Sequence, residues 1–225
     1  MIVVTGASRG IGRTICERLI EKDVAVLGLA RNVGEIPFAS MSCDVSSYES
    51  VKSVVQQLKK DGVKVLGLVN AAGIASMNLA VTTPPSVAQN LINTNLLGTI
   101  YCCQLIAPLM IRNKQGSIIN FSTIAVALGL KGESIYAASK AGVEGFTRSF
   151  AREMADFNVR VNCLAPGPID TSLLKGITAE QIERIVSRQI IPKRFTTNSV
   201  ADLVELLIDT RSESLSGHVL HVGGV

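Results

Sequence analysis

A glycine-rich turn near the start of the chain constrains the fold more than any other feature. Residues 5–12 read T-G-A-S-R-G-I-G; they follow the apolar run Ile2–Thr5 and lead into Ile11, Ile15 and Leu19, which form one apolar helix face. Glycine permits close backbone approach, and a helix N-terminus offers unpaired N–H groups at the positive end of its dipole. The arrangement predicts a pyrophosphate cradle, and the alternative is a tight turn without a ligand. It is not a Walker loop, because no Gly-Lys-Ser/Thr sequence closes it.

Apolar, β-rich runs alternate with amphipathic segments along the whole chain. The runs are mostly continuous instead of alternating, which is typical of parallel strands covered on both faces by helices. We therefore predict one domain over residues 1–225, an α/β fold of the Rossmann type with a doubly wound parallel sheet of about seven strands. The predicted strands are Ile2–Thr5, Val24–Ala30, Phe38–Cys43, Val65–Asn70, Gly116–Phe121, Val159–Leu164 and Gly217–Val222. The predicted helical segments include Val51–Leu58, Ser134–Asp156 and Leu203–Ile208.

The connection between the second and third predicted strands is unusually short. Only six residues separate Arg31 from Phe38, whereas a helical crossover needs about 10–12. Either a helix has been lost here or the connection is a bare loop on one face of the sheet.

Composition excludes several classes of protein. With 225 residues, 47% apolar and 18% charged, the chain fits a globular protein and not a disordered one. The net charge of +4 is spread out, so we expect no nucleic-acid partner. No uninterrupted apolar stretch approaches the roughly 18 residues of a membrane span, so we expect no membrane association. Five cysteines without a C-x-x-C pair and only two histidines predict no metal site and a reducing, cytoplasmic location.

The end of the second strand bears on the choice of dinucleotide. In such folds an acid at this point accepts the ribose 2′-hydroxyl of NAD, whereas a basic residue favours the 2′-phosphate of NADP. Here the chain has Ala30 and Arg31, and Arg9 in the glycine turn adds a second positive charge. The pair predicts NADP(H), although both arginines also fit solvated surface groups.

Tyr136 and Lys140 form the clearest chemical pair. They are four residues apart in a helical segment, so both side chains can reach one site. A lysine charge within about 4–6 Å of a phenol lowers its pKa from the usual value near 10. This predicts a general acid for reduction or a general base for oxidation. An amphipathic helix with a surface lysine is the alternative for the pair taken alone.

These residues, taken in order, resemble the short-chain dehydrogenase/reductase family over essentially the whole chain. The matching elements are the turn Thr5–Gly12, Asp44-Val45, Asn70-Ala71-Ala72-Gly73, Asn95, the pair Tyr136 and Lys140, and Pro166-Gly167 with Ile169 and Thr171. The resemblance implies a catalytic set of Asn95, Thr123, Tyr136 and Lys140. It implies cofactor contacts at Gly6, Ser8, Arg9, Ile11, Gly12, Arg31, Asp44, Val45, Asn70, Ala71, Gly73, Tyr136, Lys140, Pro166, Gly167, Ile169 and Thr171.

One catalytic position departs from the family pattern. Where the family has a serine thirteen residues before the tyrosine, this chain has Thr123, with Ser122 beside it. Threonine keeps the hydroxyl but restricts χ1, and we expect Thr123 to orient the substrate. Ser122 is the substitute if the strand end is shifted by one residue, because neighbouring side chains on a strand point to opposite sides.

The resemblance also implies a reaction and a substrate class. Hydride from NADPH would reach a carbonyl carbon while Tyr136 protonates the oxygen, Lys140 holds the nicotinamide ribose and lowers the tyrosine pKa, and Asn95 anchors a water-bridged proton route. Within the family the chain is most similar to 3-oxoacyl-acyl-carrier-protein reductases of fatty-acid synthesis, partly through Asn95–Gly98. The alternatives are an alcohol, polyol or sugar dehydrogenase of the same family, and a nucleotide-binding sensor without catalysis.

Three further expectations concern the substrate and partners. A lid over about residues 171–196 would cover the substrate, with isoleucines facing an acyl chain or the core. Basic residues would meet an acidic carrier protein, unless they are simply solvated; the candidates are Lys114, Lys131, Arg148 and Arg152. The family implies a homotetramer or homodimer formed through the helices around Asn95–Arg112 and Ser134–Asp156, with the face Ala137, Ala141, Gly145, Phe146 and Phe150 in contact.

Overall fold

Seven parallel strands form the sheet, as the apolar runs predict, in the spatial order β3-β2-β1-β4-β5-β6-β7. A computed structural model of the chain describes residues 1–34, 36–174 and 176–225. The strands are β1 (Ile2–Thr5), β2 (Val26–Ala30), β3 (Ser40–Ser42), β4 (Gly67–Asn70), β5 (Gly116–Phe121), β6 (Val159–Ala165) and β7 (Val219–His221). Several strands are shorter than predicted, mostly because the apolar run begins before the first residue that pairs in the sheet. The third strand is the extreme case: of Phe38–Cys43, only Ser40–Ser42 pairs with β2.

Helices cover both faces of the sheet. They are α1 (Gly10–Ile20), α2 (Tyr48–Lys60), α3 (Pro85–Leu91), α4 (Gly98–Ile111), α5 (Ala125–Leu128), α6 (Ser134–Ala155), α7 (Ala179–Val186) and α8 (Thr197–Ile208). Buried side chains of α1 and α8 form one core layer with Val4 and Val69 of the sheet. Those of α2, α4 and α6 form the other layer with Val3 and Leu68. Consecutive residues of β1 and β4 thus face opposite layers, which explains why these strands are apolar throughout.

The strand order creates a crevice at one edge of the sheet. From β1 the chain proceeds outward to β2 and β3, then returns to place β4 on the other side of β1. In doubly wound sheets ligands bind at the carboxyl ends of the strands, where the order reverses. The glycine turn follows β1 and residues 71–73 follow β4, so both are at this crevice.

A long helical segment with one irregular turn crosses the sheet. α3 continues into a π-helical turn, Ile92–Leu97, and then into α4. The combined segment, Pro85–Ile111, is by length and composition long and apolar enough to cross a membrane, although it contains no long uninterrupted apolar run. Half of its most apolar window is buried in the fold, and the buried side chains include Cys102 and Ile106 of the core layer with α2 and α6. The segment packs in the fold as a core helix.

The connection between β2 and β3 is a bare loop in the residues that the structure describes, 31–34 and 36–39. Residue 35 lies outside them. Phe38 covers the sheet instead of a helix: a Cβ built on Gly28 of β2 would lie 2.8 Å from its ring. The ring packs with the core layer of α1 and α8, on the face where a crossover helix would otherwise lie.

Candidate active site

Two adjoining cavities occupy the crevice. The first has a volume of about 360 Å³ and includes Thr123, Tyr136 and Lys140 in its wall. The second, of about 150 Å³, is bounded by the glycine turn and the ends of β2 and β3. Six residues line both cavities, so the two spaces are continuous; they are Ile11, Ala71, Gly73, Ile74, Thr171 and Leu173.

The glycine turn has the geometry of an anion cradle. Gly6 has a φ of +69°, and a Cβ there would lie 2.9 Å from the backbone of Ala72. A Cβ on Gly12 would lie 2.5 Å from the carbonyl oxygen of Gly6, so the helix start and the turn are packed backbone to backbone. α1 begins at Gly10 without a side-chain cap and without an acidic residue in its first turn. Its positive dipole end therefore faces the second cavity without a negative side chain to compensate it, which fits a pyrophosphate.

The far end of the second cavity carries the residues predicted to meet the adenosine. Arg9 and Arg31 are exposed and line it together with Ser8. Asp44 also lines it, and its Oδ1 accepts hydrogen bonds from the Ser46 backbone N–H (3.0 Å) and hydroxyl (2.7 Å). Val45 is buried against Gly98. The described residues at this end thus present two arginines near the Asp44 carboxylate, which already accepts hydrogen bonds within its own turn.

Asn70 is the exception among the predicted cofactor residues, because it does not line either cavity. Its Nδ2 donates to Asn120 Oδ1 (2.9 Å) and approaches the sulfur of Cys103 (3.3 Å). Asn120 in turn donates to Thr147 Oγ1 on α6 (2.9 Å). The side chain therefore joins β4 to β5 and α6 beneath the crevice, while Ala71 and Gly73 reach the cavities.

Thr123, and not Ser122, supplies the hydroxyl that reaches Tyr136 at the end of β5. Ser122 is buried and donates to Glu144 Oε1 at 2.7 Å, and the second oxygen of that carboxylate pairs with Arg148 at 3.3 Å. Thr123 is half-buried, its side chain interacts with the phenol of Tyr136, and its Oγ1 accepts from the Ala125 backbone N–H at 3.2 Å. The alternation along the strand thus directs one hydroxyl to α6 and the other to the cavity.

The expected lowering of the tyrosine pKa is wrong for this structure. Burial and, to a smaller extent, the negative charge of Glu133 raise the pKa of Tyr136 to about 12, and only the interaction with Thr123 opposes them. No lowering by the Lys140 ammonium accompanies these effects, and burial lowers the pKa of that ammonium itself to about 8. The phenol is consequently held in its protonated form at neutral pH.

Lys140 and Asn95 converge behind the tyrosine. Lys140 Nζ donates to the Phe121 carbonyl oxygen at 2.8 Å. Asn95 lies in the π-helical turn; its side chain accepts from the N–H of Ile74 and donates to the Ile74 carbonyl, both at 2.9 Å. A Cβ on Gly73 would lie 3.3 Å from Asn95 Oδ1, closer than usual, and 3.5 Å from Lys140 Nζ, so the loop after β4 packs directly against both groups. Asn95, from the π-helical turn, thus fastens the loop that follows β4.

The segment after β6 closes the first cavity from above. Pro166, Gly167, Ile169 and Thr171 all line it. Sequence reasoning missed Gln189, which is buried and whose Nε2 donates to the Lys193 carbonyl at 2.9 Å. A Cβ on Gly167 would overlap Gln189 Oε1, so glycine is required there by packing.

The predicted lid, about residues 171–196, contains a short helical turn at Ser172–Leu174 and then α7; residue 175 lies outside the described residues. Its five isoleucines occupy three kinds of position. Ile177 and Ile185 line the first cavity, Ile182 is buried in the fold, and Ile190 and Ile191 are exposed. α7 starts with a capping box between Thr178 and Gln181, which fixes its start.

Three of the four predicted carrier-protein contacts are not at the cavity mouth. Lys114 precedes β5 and therefore lies at the opposite edge of the sheet. Arg148 and Arg152 are 8 and 12 residues beyond Lys140 on α6, or roughly 12 and 18 Å along a helix with a 1.5 Å rise. Lys131 is exposed beside Leu130 of the cavity wall and remains a candidate. Arg188, which sequence reasoning missed, donates to the Leu128 carbonyl at 3.1 Å near the same rim.

Comparison with known proteins agrees with this geometry. Residues 1–182 match the family model for short chain dehydrogenases. A bovine (Bos taurus) 3-oxoacyl-[acyl-carrier-protein] reductase is 34% identical over 98% of this chain and 95% of its own length.

Solved structures include relatives with other substrates. The aldohexose dehydrogenase of Thermoplasma acidophilum has a TM-score of 0.89 and 31% identity, covering 99% of this chain and 92% of that one. A structure of ElxO with NADP bound has a TM-score of 0.90 and 30% identity, covering 98% of this chain and 96% of that one. With a parallel seven-stranded sheet, a glycine cradle and a family match over most of its length, the chain belongs to the short-chain dehydrogenase/reductase family of nicotinamide-dependent oxidoreductases.

Proposed function

We propose that the protein is an NADPH-dependent reductase of 3-oxoacyl thioesters, acting in the cytoplasm in fatty-acid synthesis. The observation that carries the proposal is the placement of a protonated phenol and a neighbouring threonine hydroxyl in the wall of a largely apolar cavity that adjoins the anion cradle. Apolar side chains from three segments suit an acyl chain; they include Ile74, Met77, Leu130, Leu174, Ile177 and Ile185. The 34% sequence identity to a 3-oxoacyl-[acyl-carrier-protein] reductase over nearly the whole chain supports the substrate class.

The described residues provide the groups that would orient the substrate carbonyl and donate the proton. When bound, NADPH supplies the hydride. Thr123 donates a hydrogen bond to the carbonyl oxygen and fixes it near the phenol, and Tyr136 gives its proton to the alkoxide that develops there. With its pKa raised to about 12, the Tyr136 hydroxyl is protonated at neutral pH, as an ordinary phenol also is, so the proton needed for reduction is present, although it is held more tightly than in a free tyrosine. The same shift makes the phenolate scarce at pH 7, so alcohol oxidation would need a higher pH.

Lys140 and Asn95 have supporting parts in this proposal. Lys140 holds the nicotinamide ribose hydroxyls and restores the proton of Tyr136, and its buried position near Gly73 lies between the two cavities. Asn95 anchors the backbone of Ile74, which lines both cavities. Both side chains therefore hold the boundary at which cofactor and substrate meet.

A sugar or polyol dehydrogenase is the second candidate. One observation favours it: the buried carboxylate of Glu133 faces the first cavity, and carboxylates bind substrate hydroxyls well. The likeness to an aldohexose dehydrogenase agrees with this reading.

A rate comparison separates the two candidates. We expect NADPH to be consumed with acetoacetyl-N-acetylcysteamine at least about tenfold faster, as kcat/KM, than NADP⁺ is reduced with a panel of aldohexoses and polyols at pH 7. Rapid sugar oxidation with no thioester reduction would establish the second candidate instead.

The two arginines of the second cavity support the preference for NADPH. Loss of a charge-assisted bond to the 2′-phosphate weakens binding by roughly 1.5–3 kcal/mol, or about 10- to 100-fold. Arg31→Ala is therefore expected to raise KM for NADPH by about that factor and to leave KM for NADH nearly unchanged. Arg152→Ala, which removes an exposed arginine of α6 away from the cavities, is the matched control. Equal effects on both cofactors would contradict the role of Arg31.

We also propose that the protein associates through α4 and α6. Ala141 and Gly145 are exposed on α6, and Phe146 is half-buried beside them. Phe150 belongs to the protomer core, because it is buried and its ring stacks on Phe146 with centroids 5.0 Å apart. Light scattering on the purified protein is expected to give a dimer or tetramer of the 23.9 kDa chain, and Gly145→Arg is expected to shift it toward the monomer. A monomeric wild type would refute this proposal.

A further inference from the structure

Glu133 is a carboxylate inside the first cavity for which the mechanism above has no use. The residue is only 7% exposed and lies in the cavity wall with Thr123 and Tyr136. It directly precedes α6, three residues before the tyrosine. Carboxylates are rarely buried to this degree unless a partner compensates the lost hydration.

No such partner is found in the described part of the chain. The hydrogen bonds and ion pairs there include no contact to the Glu133 carboxylate. An acid at a helix start usually caps the free N–H groups, yet this side chain makes no cap hydrogen bond. Its backbone is fully used, with the N–H donating to the Leu130 carbonyl (3.2 Å) and the carbonyl accepting from Ala137 (2.6 Å). The carboxylate is thus presented to the cavity by a fixed backbone.

The surroundings determine what this group can bind. The neighbouring cavity wall is apolar, with Leu130, Ile74 and Ile185 among its residues. Burial raises the pKa of Glu133, and its charge acts on the pKa of Tyr136, so the carboxylate lies near the reacting phenol. An acceptor in such a place gains most from a ligand N–H or O–H group, and a ligand without one leaves it desolvated and unpaired.

We infer that Glu133 is a specificity-determining residue that accepts a hydrogen bond from an amide N–H or a hydroxyl of the substrate, beside the carbonyl held by Thr123 and Tyr136. The inference rests on the proposed carbonyl reduction and deepens it. Two kinds of substrate carry the required donor: thioesters whose carrier arm has an amide N–H, and hydroxyketones. Simple ketones and alkyl thioesters lack it.

Matched substrate pairs test the inference. Acetoacetyl-N-acetylcysteamine carries an amide N–H that S-ethyl acetothioacetate lacks, and hydroxyacetone carries a hydroxyl that acetone lacks. In the wild type the donor-bearing member of a pair is expected to have the higher kcat/KM. Glu133→Met removes the acceptor at similar volume and is expected to lower kcat/KM for that member about 10- to 100-fold, with less than about threefold change for the other member.

The controls separate a specificity role from a structural one. Glu153→Met removes an exposed glutamate of the same helix and is expected to change neither member. Glu133→Gln, which keeps an acceptor oxygen, is expected to recover part of the loss and serves as the test variant if the methionine variant fails to fold. Dissociation constants of both members are measured by calorimetry with NADP⁺ present. We expect Glu133→Met to weaken the binding of the donor-bearing member and to leave that of the other member nearly unchanged.

The results also distinguish this inference from the proposed function. A loss confined to the hydroxyketone, in a protein that reduces no thioester, would keep the role of Glu133 and overturn the thioester proposal. Equal losses for both members of every pair, or no loss for either, would overturn the role of Glu133 even in an active thioester reductase.

Discussion

Lys140 is a buried lysine whose charge lowers the stability of the fold. Its ammonium is buried, with the Phe121 carbonyl oxygen 2.8 Å away, and burial lowers its pKa from 10.5 to about 8. The folded protein thus resists the charge that the unfolded chain accepts freely. At pH 7 Lys140 is protonated in both the folded and the unfolded protein, so the folded state carries the full cost of burying its charge. The lowering of its pKa corresponds to a cost of about 3 kcal/mol. Such a penalty is typical of a side chain retained for activity.

Replacing this lysine should therefore stabilise the protein while it inactivates it. Lys140→Met keeps the aliphatic stem and is expected to raise the free energy of unfolding by roughly 1–3 kcal/mol at pH 7. The gain should shrink as the pH rises from 8 to 10.5, because the wild type there loses its proton more readily than the unfolded chain does. Urea unfolding at pH 7 and pH 9 measures this, with Lys59→Met, an exposed lysine, as control. A destabilised Lys140→Met protein at pH 7 would contradict the account.

The residues that could be predicted from the sequence are those whose spacing alone brings them together. Tyr136 and Lys140 share a helix face at four residues apart, whereas Thr123 was identified from the family pattern and lies just beyond the end of β5 in the structure. The raised pKa of Tyr136 and the buried carboxylate of Glu133 could not be predicted, because both depend on how deeply the surrounding loops enclose the cavity. The hydrogen bond of the Asn70 side chain to Asn120 could not be predicted either, because it depends on how β4 and β5 pair, and a cofactor contact at Asn70 stays a prediction.

At the scale of elements, buried parallel strands were predictable and their limits were not. A strand covered on both faces must be apolar throughout, so an apolar run predicts that a strand is present but not at which residues its pairing begins and ends. The third strand shows the difference: Phe38 belongs to the apolar run but packs over Gly28 as cover for the sheet, and pairing starts only at Ser40. The short connection thus keeps the strand order of the fold while one aromatic ring takes the place of a helix.

That substitution makes Phe38 more important to stability than its half-buried state suggests. Full removal of a buried phenylalanine typically costs 3–5 kcal/mol, and for a half-buried ring we expect Phe38→Ala to lower the free energy of unfolding by about 2 kcal/mol. Phe157→Ala removes a ring that is 39% exposed after α6 and is expected to cost less than about 0.5 kcal/mol. Chemical denaturation of the two variants gives the comparison. If Phe38→Ala lowered the free energy of unfolding no more than Phe157→Ala does, the packing of Phe38 on the sheet would not contribute to stability in the way proposed.

At the scale of the whole molecule, the strand order unites the two cavities. β1 and β4 are neighbours whose connections leave in opposite directions, so the glycine turn and residues 71–74 line a common crevice. β5 adds Thr123, α6 adds Tyr136 and Lys140, and the segment after β6 closes the top. Elements distant in sequence thus place a proton donor beside the space that adjoins the anion cradle.

The most direct test of this account is the effect of removing one oxygen atom, that of the Tyr136 phenol. NADPH consumption with acetoacetyl-N-acetylcysteamine is measured for the wild type and Tyr136→Phe, and NADPH affinity is measured for both by nucleotide fluorescence. We predict that kcat falls by about 100- to 10,000-fold, the usual contribution of a general acid, while the Kd for NADPH changes less than about threefold. A variant that keeps most of its turnover would contradict the assignment of Tyr136 as the proton donor, and with it the proposed reaction at this site.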